Sequence, residues 1–339
     1  MNDFYDVIIS GCGPSGSLLG YYLAQHSIKT LIIEKEHFPR KKICAGGVQH
    51  RVLKFIPFDI RHLAEKTIKG IYFSIRNKNV FQKKHTEPIM YTIRREILDS
   101  FLAEKAVSAG CTIYFGEKVQ SLNIMKNHAE VKTGSKTYRA KIVAAADGSR
   151  GSLHRDILKG EKINKIIGYE TDIEYPSADD TVIDSAEQLF DLSDSVRLDF
   201  KGVKKGYCWV FPKEKSMSCG MGAPWKDAAA VKAYLKKFLQ QFCLPDGCSS
   251  KGIDRYKLSA HSIPVRKNKT PFCSFRIIAA GDAACFGDGF TGEGLYNAVK
   301  SACYAADSIK KALKNSDFRF LRGEKNYNDI VDRLKIFKF

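Results

Sequence analysis

The sequence predicts an α/β fold in which a doubly wound parallel sheet is interrupted by a second sheet. Three apolar, strand-like segments indicate the first sheet, at residues 6–10, 142–146 and 276–280. Each segment ends at a turn that contains glycine, and such short apolar runs are typical of strands buried in an α/β core. At 339 residues the chain is long enough for two domains.

The turn after the first strand carries the run GCGPSG at residues 11–16, and a helix-like segment follows it. In a GxGxxG turn one glycine permits the tight bend, one lets backbone N–H groups approach a pyrophosphate, and one lets the helix pack closely on the strand. The run therefore predicts a dinucleotide site that includes Gly11, Gly13, Ser15 and Gly16.

The second strand, residues 29–33, ends at Glu34, about 20 residues beyond the glycine run, as the dinucleotide fingerprint requires. A carboxylate at this position accepts hydrogen bonds from a ribose diol. The alternative is an ordinary β-turn-α unit without a nucleotide, because glycine pairs also occur in plain turns.

Later segments decide between NAD and FAD, because both cofactors use the first motif. The strand at 142–146 breaks at an Asp-Gly pair, and the strand at 276–280 breaks at a Gly-Asp pair before a glycine-rich stretch and a helix. Both breaks resemble motifs of flavoproteins of the para-hydroxybenzoate hydroxylase type. The resemblance implies a Rossmann-like FAD-binding domain with an inserted antiparallel-sheet substrate domain. It also assigns Asp147 and Asp282 to the FAD site, with Asp282 on the ribityl chain.

Two helix starts add to the cofactor site that this resemblance implies. A helix beginning near Gly294 and Leu295 would direct its N-terminal N–H groups at the flavin, whose reduced form carries negative charge. The segment 91–99 resembles the Arg-x-x-apolar-Asp helix start of these flavoproteins, so that Arg95 faces the cofactor. A solvated charge on a helix face is the alternative for Arg95. Val119 completes the predicted cofactor set.

Two further motifs resemble those of the geranylgeranyl reductase family. Residues 42–47 (KICAGG) resemble its Lys-x-Cys-Gly-x-Gly segment, with Ala45 in place of the usual glycine. Residues 207–212 (YCWVFP), with the Gly-x-Gly at 220–222, resemble its Tyr-x-Trp-x-Phe-Pro and downstream Gly-x-Gly. The resemblance implies that Cys44, Ala45 and Gly47 lie in the flavin site. We hypothesise that Cys44 helps to deliver a proton; the alternative is a small buried hydrophobe.

The aromatic motif has a meaning of its own, because Tyr207, Trp209 and Phe211 fall at i, i+2 and i+4 of a strand and point to one face. A sheet that packs on its own core is one interpretation. In combination with the other motifs we favour a pocket wall along an isoprenoid chain. The three residues join Cys44 as the predicted catalytic set, and the polar tips of Tyr207 and Trp209 offer hydrogen bonds.

The motifs predict the domain limits. Residues 1–70, 90–155 and 270–325 would form a discontinuous FAD-binding domain, and residues 71–89 and 156–269 a substrate domain. Residues 326–339 would form a basic and aromatic tail. The active site would lie between the domains, where ligand pockets often occur.

The charge balance predicts anionic surfaces as partners. Lys and Arg number 55 against 37 Asp and Glu, a net charge of +18. A membrane surface fits a lipid substrate, and the basic, aromatic C-terminal segment is typical of an interfacial helix, although a capping helix is equally compatible. No nucleic-acid motif accompanies the charge, so no nucleic-acid partner is expected.

Other features predict a cytoplasmic protein with possible peripheral contact at the inner face of the membrane. The first strand begins at once, without room for a signal peptide, and no apolar stretch reaches the length of a membrane span. Ten cysteines without a CxxC pair or metal-ligand spacing indicate a reducing compartment and no metal site.

The resemblance implies an FAD-dependent oxidoreductase that reduces carbon–carbon double bonds of a prenyl lipid of the geranylgeranyl type. Hydride would come from the reduced flavin, and the proton from Cys44, a tyrosine or water. The electron donor would be NAD(P)H or a ferredoxin. A flavin-dependent monooxygenase or halogenase, and a non-catalytic FAD-binding lipid carrier or resistance protein, are the alternatives.

Overall fold

The computed structural model describes residues 4–153, 157, 163–175, 192–243, 256–266 and 272–319. The first sheet contains, in chain order, β1 (Phe4–Ser10), β2 (Thr30–Glu34), β8 (Thr112–Phe115), β9 (Ser121–Ile124), β10 (Ala129–Lys132), β11 (Thr137–Ala145), β17 (Cys273–Ser274) and β18 (Ile277–Ala279). The second contains β5 (Gly70–Ile75), β6 (Lys78–Lys84), β12 (Asn164–Glu174), β13 (Ser195–Phe200), β14 (Tyr207–Pro212), β15 (Ser216–Pro224) and β16 (Ser259–Val265). A small third sheet contains β3 (Gly47–Gln49), β4 (Lys66–Ile68) and β7 (Met90–Thr92). The helices are α1 (Pro14–Ala24), α2 (Arg95–Ser108), α3 (Ala228–Cys243) and α4 (Leu295–Asn315).

The first sheet forms the parallel core of the molecule, in the order β18-β11-β1-β2-β8 with parallel pairing throughout. Its strands are apolar on both faces, and Val7, Ile8 and Ile9 of β1 are fully buried. Helix α1 packs against α2 and α4. Because parallel strands end at one edge, the three glycine-containing turns and Glu34 meet there. The predicted α/β fold is confirmed.

The second sheet has the order β16-β12-β15-β14-β13-β5-β6, and α3 covers one of its faces. Along β14, Cys208, Val210 and Pro212 are buried, while Tyr207, Trp209 and Phe211 alternate with them on the opposite face. The second sheet is antiparallel except for one pair, since β13 and β5 run parallel. The hairpin β5–β6 comes from an early part of the chain and joins the later strands by this pair.

Both predicted substrate segments contribute strands to this second sheet. Segment 71–89 provides most of β5 and all of β6, and the described part of segment 156–269 provides β12 to β16. The domain limits themselves stay a prediction. The predicted tail at 326–339 lies outside the described residues.

Candidate active site

A cavity of about 920 Å³ lies between the two large sheets. Both sheets and the loops at the carboxyl edge of the parallel sheet line it. The structure brings together almost all the predicted site residues along its wall: Gly11, Gly13, Ser15, Glu34, Cys44, Ala45, Gly47, Arg95, Val119, Asp147, Tyr207, Trp209, Phe211, Asp282, Gly294 and Leu295. Gly16 lies behind this wall, in the packing of α1.

The three glycines of the turn after β1 have different surroundings. A Cβ on Gly11 would lie 2.4 Å from the Ala146 carbonyl oxygen, and Gly11 has a φ of +98°. A Cβ on Gly16 would lie 1.9 Å from the Gly11 oxygen. A Cβ on Gly13 would meet only the Arg40 guanidinium, at 3.6 Å. Gly11 and Gly16 therefore serve close backbone packing, whereas Gly13 keeps a space open in front of α1.

Hydrogen-bond donors border that open space, as a pyrophosphate site requires. Helix α1 begins after Gly13 without a side-chain cap, so its first N–H groups are available to a ligand. Nearby, buried Asp99 accepts two hydrogen bonds of 2.8 Å from Arg95 and lies 3.0 Å from the Arg40 guanidinium. Both guanidinium groups border the cavity and can donate to a diphosphate there. Arg95 is therefore a buried, paired charge and not a solvated one.

Glu34 lies at the end of β2 and is buried by the turn that precedes α1. Its Oε2 accepts the Cys12 N–H at 2.7 Å, and its Oε1 accepts the Glu36 N–H at 3.0 Å. Each carboxylate oxygen retains a second lone pair, so the side chain is fixed in place and can still accept a ribose hydroxyl. This geometry fits the nucleotide end of FAD.

The opposite end of the cofactor region is formed by the start of α4. Gly294 precedes the helix without a side-chain cap, and a Cβ there would lie 3.2 Å from Asp282 Oδ1. Asp282 is half-buried, and this burial raises the pKa of its carboxyl, an effect that Lys42 and Arg95 oppose. The N-termini of α1 and α4 thus face one cavity, which fits a diphosphate at one end and an anionic reduced flavin at the other. At α4, Glu293 Oε1 accepts the Tyr296 N–H at 3.1 Å, and Glu293 Oε2 pairs with Arg51.

The remaining predicted cofactor residues lie in the loops after β8 and β11. Asp147 Oδ2 accepts the Leu153 N–H at 3.1 Å, and its carboxyl group occupies the place of a side chain on Gly151. The Val119 carbonyl accepts a hydrogen bond of 3.2 Å from the Ser152 hydroxyl. These contacts join the two loops at the cavity wall.

The aromatic motif forms the floor of the cavity on the second sheet. Trp209 pairs with Gly220 and Tyr207 with Gly222 between β14 and β15. A Cβ on Gly220 would lie 2.2 Å from the Trp209 indole, whereas one on Gly222 would keep 3.6 Å from it. The Gly-x-Gly after the aromatic motif therefore leaves room for the indole to lie on the sheet. Phe211 similarly occupies the space above Gly47, 2.5 Å from the Cβ position.

Of the two hydrogen bonds predicted for Tyr207 and Trp209, the structure contains the one from Tyr207. The Tyr207 hydroxyl donates to the Thr291 carbonyl, which links the second sheet to the glycine-rich loop before α4. The Trp209 indole N–H is buried without a partner among the described residues. Gly220 and Gly222, on which the indole lies, have no side chain that could accept this hydrogen.

Glu170 is a site residue that the sequence did not predict. It lies on β12, is 8% exposed, and accepts the backbone N–H of Cys44 at 3.1 Å. Burial raises the pKa of its carboxyl to about 7. No motif marks Glu170, and its place beside Gly220 follows from a strand register that joins residues 50 positions apart.

A second unpredicted contact joins Lys42 to His261 of β16, with 2.7 Å between Nζ and Nε2. Burial lowers the pKa of Lys42 to about 8 and that of His261 to about 3, the latter with help from the Lys42 charge. His261 is therefore neutral, and its Nε2 accepts a hydrogen bond from the Lys42 ammonium group. This contact and that of Glu170 with Cys44 both join the loop at 42–47 to the second sheet.

The fold and cavity define an FAD-dependent oxidoreductase, and residues 4–165 match the model of the FAD binding domain family. The chain is 30% identical to an uncharacterized protein of Methanosarcina barkeri, over 98% of this chain and 81% of that one. It is 27% identical to the digeranylgeranylglycerophospholipid reductase of Methanocaldococcus jannaschii, over 94% of this chain and 80% of that one. The structure of a geranylgeranyl bacteriochlorophyll reductase-like protein of Thermoplasma acidophilum matches with a TM-score of 0.78 at 24% identity, over 98% and 83% of the chains. The chain belongs to the geranylgeranyl reductase family of FAD-dependent oxidoreductases.

The family confirms FAD as the cofactor and the prediction of an enzyme. Within the described part of the chain, no helix is long and apolar enough to cross a bilayer.

Proposed function

We propose that the enzyme reduces carbon–carbon double bonds in the prenyl chain of a lipid of the geranylgeranyl type. The apolar floor of the cavity carries this proposal. Leu198, Trp209 and Phe73 lie in register across three strands and line the cavity together with Tyr207 and Phe211. A long hydrocarbon chain is the ligand that matches such a floor. The names of the reductase relatives, a digeranylgeranylglycerophospholipid reductase and a geranylgeranyl diphosphate reductase, support the same class of substrate.

FAD would supply the hydride when it is bound and reduced. The residues of the chain would then position the lipid and exclude water, which limits side reactions of a reduced flavin. Cys44 lines the cavity at the junction of the two sheets. Saturation of one double bond adds a hydride to one carbon and a proton to the other, so a proton donor beside the lipid completes the reaction.

Glu170 is the proton donor that we favour. Among the described residues it is the only carboxyl group that the second sheet brings to the cavity. With a pKa of about 7 it holds a proton for part of the time at neutral pH and releases it readily. Burial raises the pKa of Tyr207 above its usual range, and His261 is neutral, so both are poorer donors. After transfer, the Glu170 carboxylate regains a proton from solvent.

The source of electrons follows less directly from the site. The GxGxxG spacing also occurs at residues 287–292, but that loop lines the same cavity, so NAD(P)H would have to reduce FAD without a dinucleotide site of its own. An acidic ferredoxin is the alternative donor, since the chain carries a net charge of +18. Comparing the rates of flavin reduction by the two donors would separate these proposals.

An anaerobic single-turnover experiment tests the function. The purified flavoprotein is reduced with dithionite, mixed with a geranylgeranyl lipid in detergent, and followed by flavin absorbance and by the mass of the lipid. We expect reoxidation with a gain of two hydrogens for each bond reduced. Substrate-stimulated oxygen consumption without saturation would support a monooxygenase or halogenase instead. Lipid binding without any redox change would support the carrier.

A further inference from the structure

Several of the exposed large apolar side chains lie close together near the cavity. Phe81 of β6 is 62% exposed, and Ile75 and Val80 of the same hairpin are each 40% exposed. Phe290, in the glycine-rich loop before α4, is 46% exposed and lines the cavity. Exposed apolar groups gathered around a pocket mark an interaction site, whereas single ones do not.

Cationic side chains surround these apolar groups. We call this region the mouth surface: it comprises residues 75–84, residues 201–206 and Phe290. Its exposed basic residues are Arg76, Lys78, Lys83, Lys84, Lys201, Lys204 and Lys205. These seven basic groups outnumber the nearby acidic groups, of which Asp194 pairs with Lys84 at 3.3 Å and Asp288 accepts the Phe290 and Thr291 N–H groups. The surface is therefore strongly positive.

A pocket of about 590 Å³ opens in the mouth surface and adjoins the main cavity. Arg76, Lys201 and Lys204 line this pocket but not the main cavity. Phe200, Lys205, Tyr207 and Phe290 line both spaces. The boundary between the two spaces is thus largely aromatic, and the cations stand on its outer side.

A row of aromatic rings connects the mouth surface with the floor of the active site. The distances between ring centroids are 5.2 Å from Phe81 to Phe73, 6.4 Å from Phe73 to Phe200, 5.6 Å from Phe200 to Tyr207, and 5.9 Å from Tyr207 to Trp209. The row begins at Phe81 on the exposed edge strand and ends at Trp209, which lies on Gly220 and Gly222. It offers a hydrocarbon chain continuous apolar contact from the outside inward.

We propose that the mouth surface docks on an anionic phospholipid bilayer and that the lipid substrate passes from the bilayer along the aromatic row. Apolar side chains within a basic rim are the pattern by which proteins bind at a lipid interface. Lysines on an edge strand also prevent pairing with other strands, but this role leaves the exposed Phe81 and the lysines of the 201–206 loop unexplained. The delivery step rests on the proposed function, whereas docking does not.

Co-sedimentation of the full chain with vesicles tests the docking. Binding is compared between phosphatidylcholine vesicles and vesicles that also contain phosphatidylglycerol. We expect binding to the anionic vesicles, and a loss of at least about 30-fold in the Lys78→Glu/Lys204→Glu variant, because the loss of two lysines accounts for that factor and the new carboxylates are repelled by the anionic surface. Lys232→Glu/Lys237→Glu is the matched control, because both lysines are exposed on α3 and lie outside the mouth surface. Equal losses in both variants, or no binding by the unchanged protein, overturn the proposal.

A fluorescence measurement tests the apolar part of the surface. In the Phe81→Trp variant, we expect the new indole to shift its emission to the blue when anionic vesicles are added. Val107→Trp is the control, because Val107 is 51% exposed on α2, away from the hairpin. An identical response of the two variants contradicts docking through the hairpin.

Activity assays separate this proposal from the proposed function. We expect Lys78→Glu/Lys204→Glu to reduce lipid in detergent at the normal rate and lipid in vesicles more slowly. Absence of reduction by the unchanged protein in detergent contradicts the proposed function, while the vesicle assays still decide docking. If the variant binds vesicles normally but accepts electrons slowly from a ferredoxin, the surface serves that acidic carrier and docking is refuted.

Discussion

The two ends of the cavity are built in different ways. At the cofactor end, the parallel sheet fixes the ligand space through backbone geometry, as at Gly11, Gly13 and Gly294. At the substrate end, side chains from separate strands form the surface, as Trp209 does on its bed of glycines. A change at the cofactor end should therefore affect folding or FAD binding, whereas a change at the substrate end should affect the lipid reaction alone.

The largest effect is expected from Gly11→Ala. A Cβ would lie 2.4 Å from the Ala146 oxygen at a φ of +98°, so the backbone has to move. We expect the free energy of unfolding of the apoprotein to fall by about 3 kcal/mol or more. Gly13→Ala is the matched control, because its Cβ would enter open space. That variant should unfold normally in a thermal melt but bind FAD weakly in a fluorescence titration. Equal stability of the two variants would show that the turn does not separate packing from binding.

Glu170→Gln sharpens the comparison, because this residue joins both ends. We expect lipid-dependent reoxidation of the flavin to slow by about 100-fold, the usual contribution of a general acid. In the unchanged enzyme the rate should decrease as pH rises through about 7, since the protonated carboxyl is the donor. The variant should lose this dependence. An unchanged rate and pH profile would return the proton to Cys44 or water.

Unfolding of the apoprotein tests the raised pKa of Glu170 independently of catalysis. Burial raises its pKa in the folded state above the unfolded value of 4.5, so its contribution to stability is fully present below that value and is lost as pH rises from there through about 7. Lys213 and Asp172 face it on the sheet, and Cys44 and Ser218 lie beside it. Urea unfolding of Glu170→Gln should lack this component, whatever the enzyme reduces.

Gly220→Ala tests the substrate end. Its Cβ would lie 2.2 Å from the Trp209 indole, which has to leave the sheet. We expect reoxidation by lipid to slow by about tenfold, equivalent to a change of 1.4 kcal/mol, with FAD affinity unchanged. Gly222→Ala places a Cβ in ordinary contact at 3.6 Å and should behave nearly as the unchanged enzyme. A loss of FAD binding in Gly220→Ala would break the division between the two ends.

The same division explains what the sequence could predict. In local runs such as GCGPSG, the residues of the run themselves determine the shape of the turn. Most of the cofactor residues could therefore be proposed from segments of ten residues or fewer. Glu170 reaches Cys44, 126 positions away, only through the placement of the second sheet against the first. Likewise, the parallel pair β5–β13 joins segments more than 100 residues apart, and no local pattern specifies it. Long-range register, rather than composition, is the information that a single sequence lacked.

The smallest effect is expected where the two ends touch through one hydrogen bond, from Tyr207 to the Thr291 carbonyl. Tyr207→Phe removes the donor and should cost about 1 kcal/mol, because the carbonyl is partly open to water. We expect amide hydrogen exchange in the loop at 287–294 to accelerate by about fivefold, with exchange in α1 unchanged. Tyr234→Phe is the control, since its hydroxyl donates to Asp199 on the other side of the second sheet, at 3.1 Å. Acceleration of the loop by both variants would mean that the second sheet stabilises the flavin loop as a whole, and that the two ends of the cavity are coupled more strongly than their separate construction suggests.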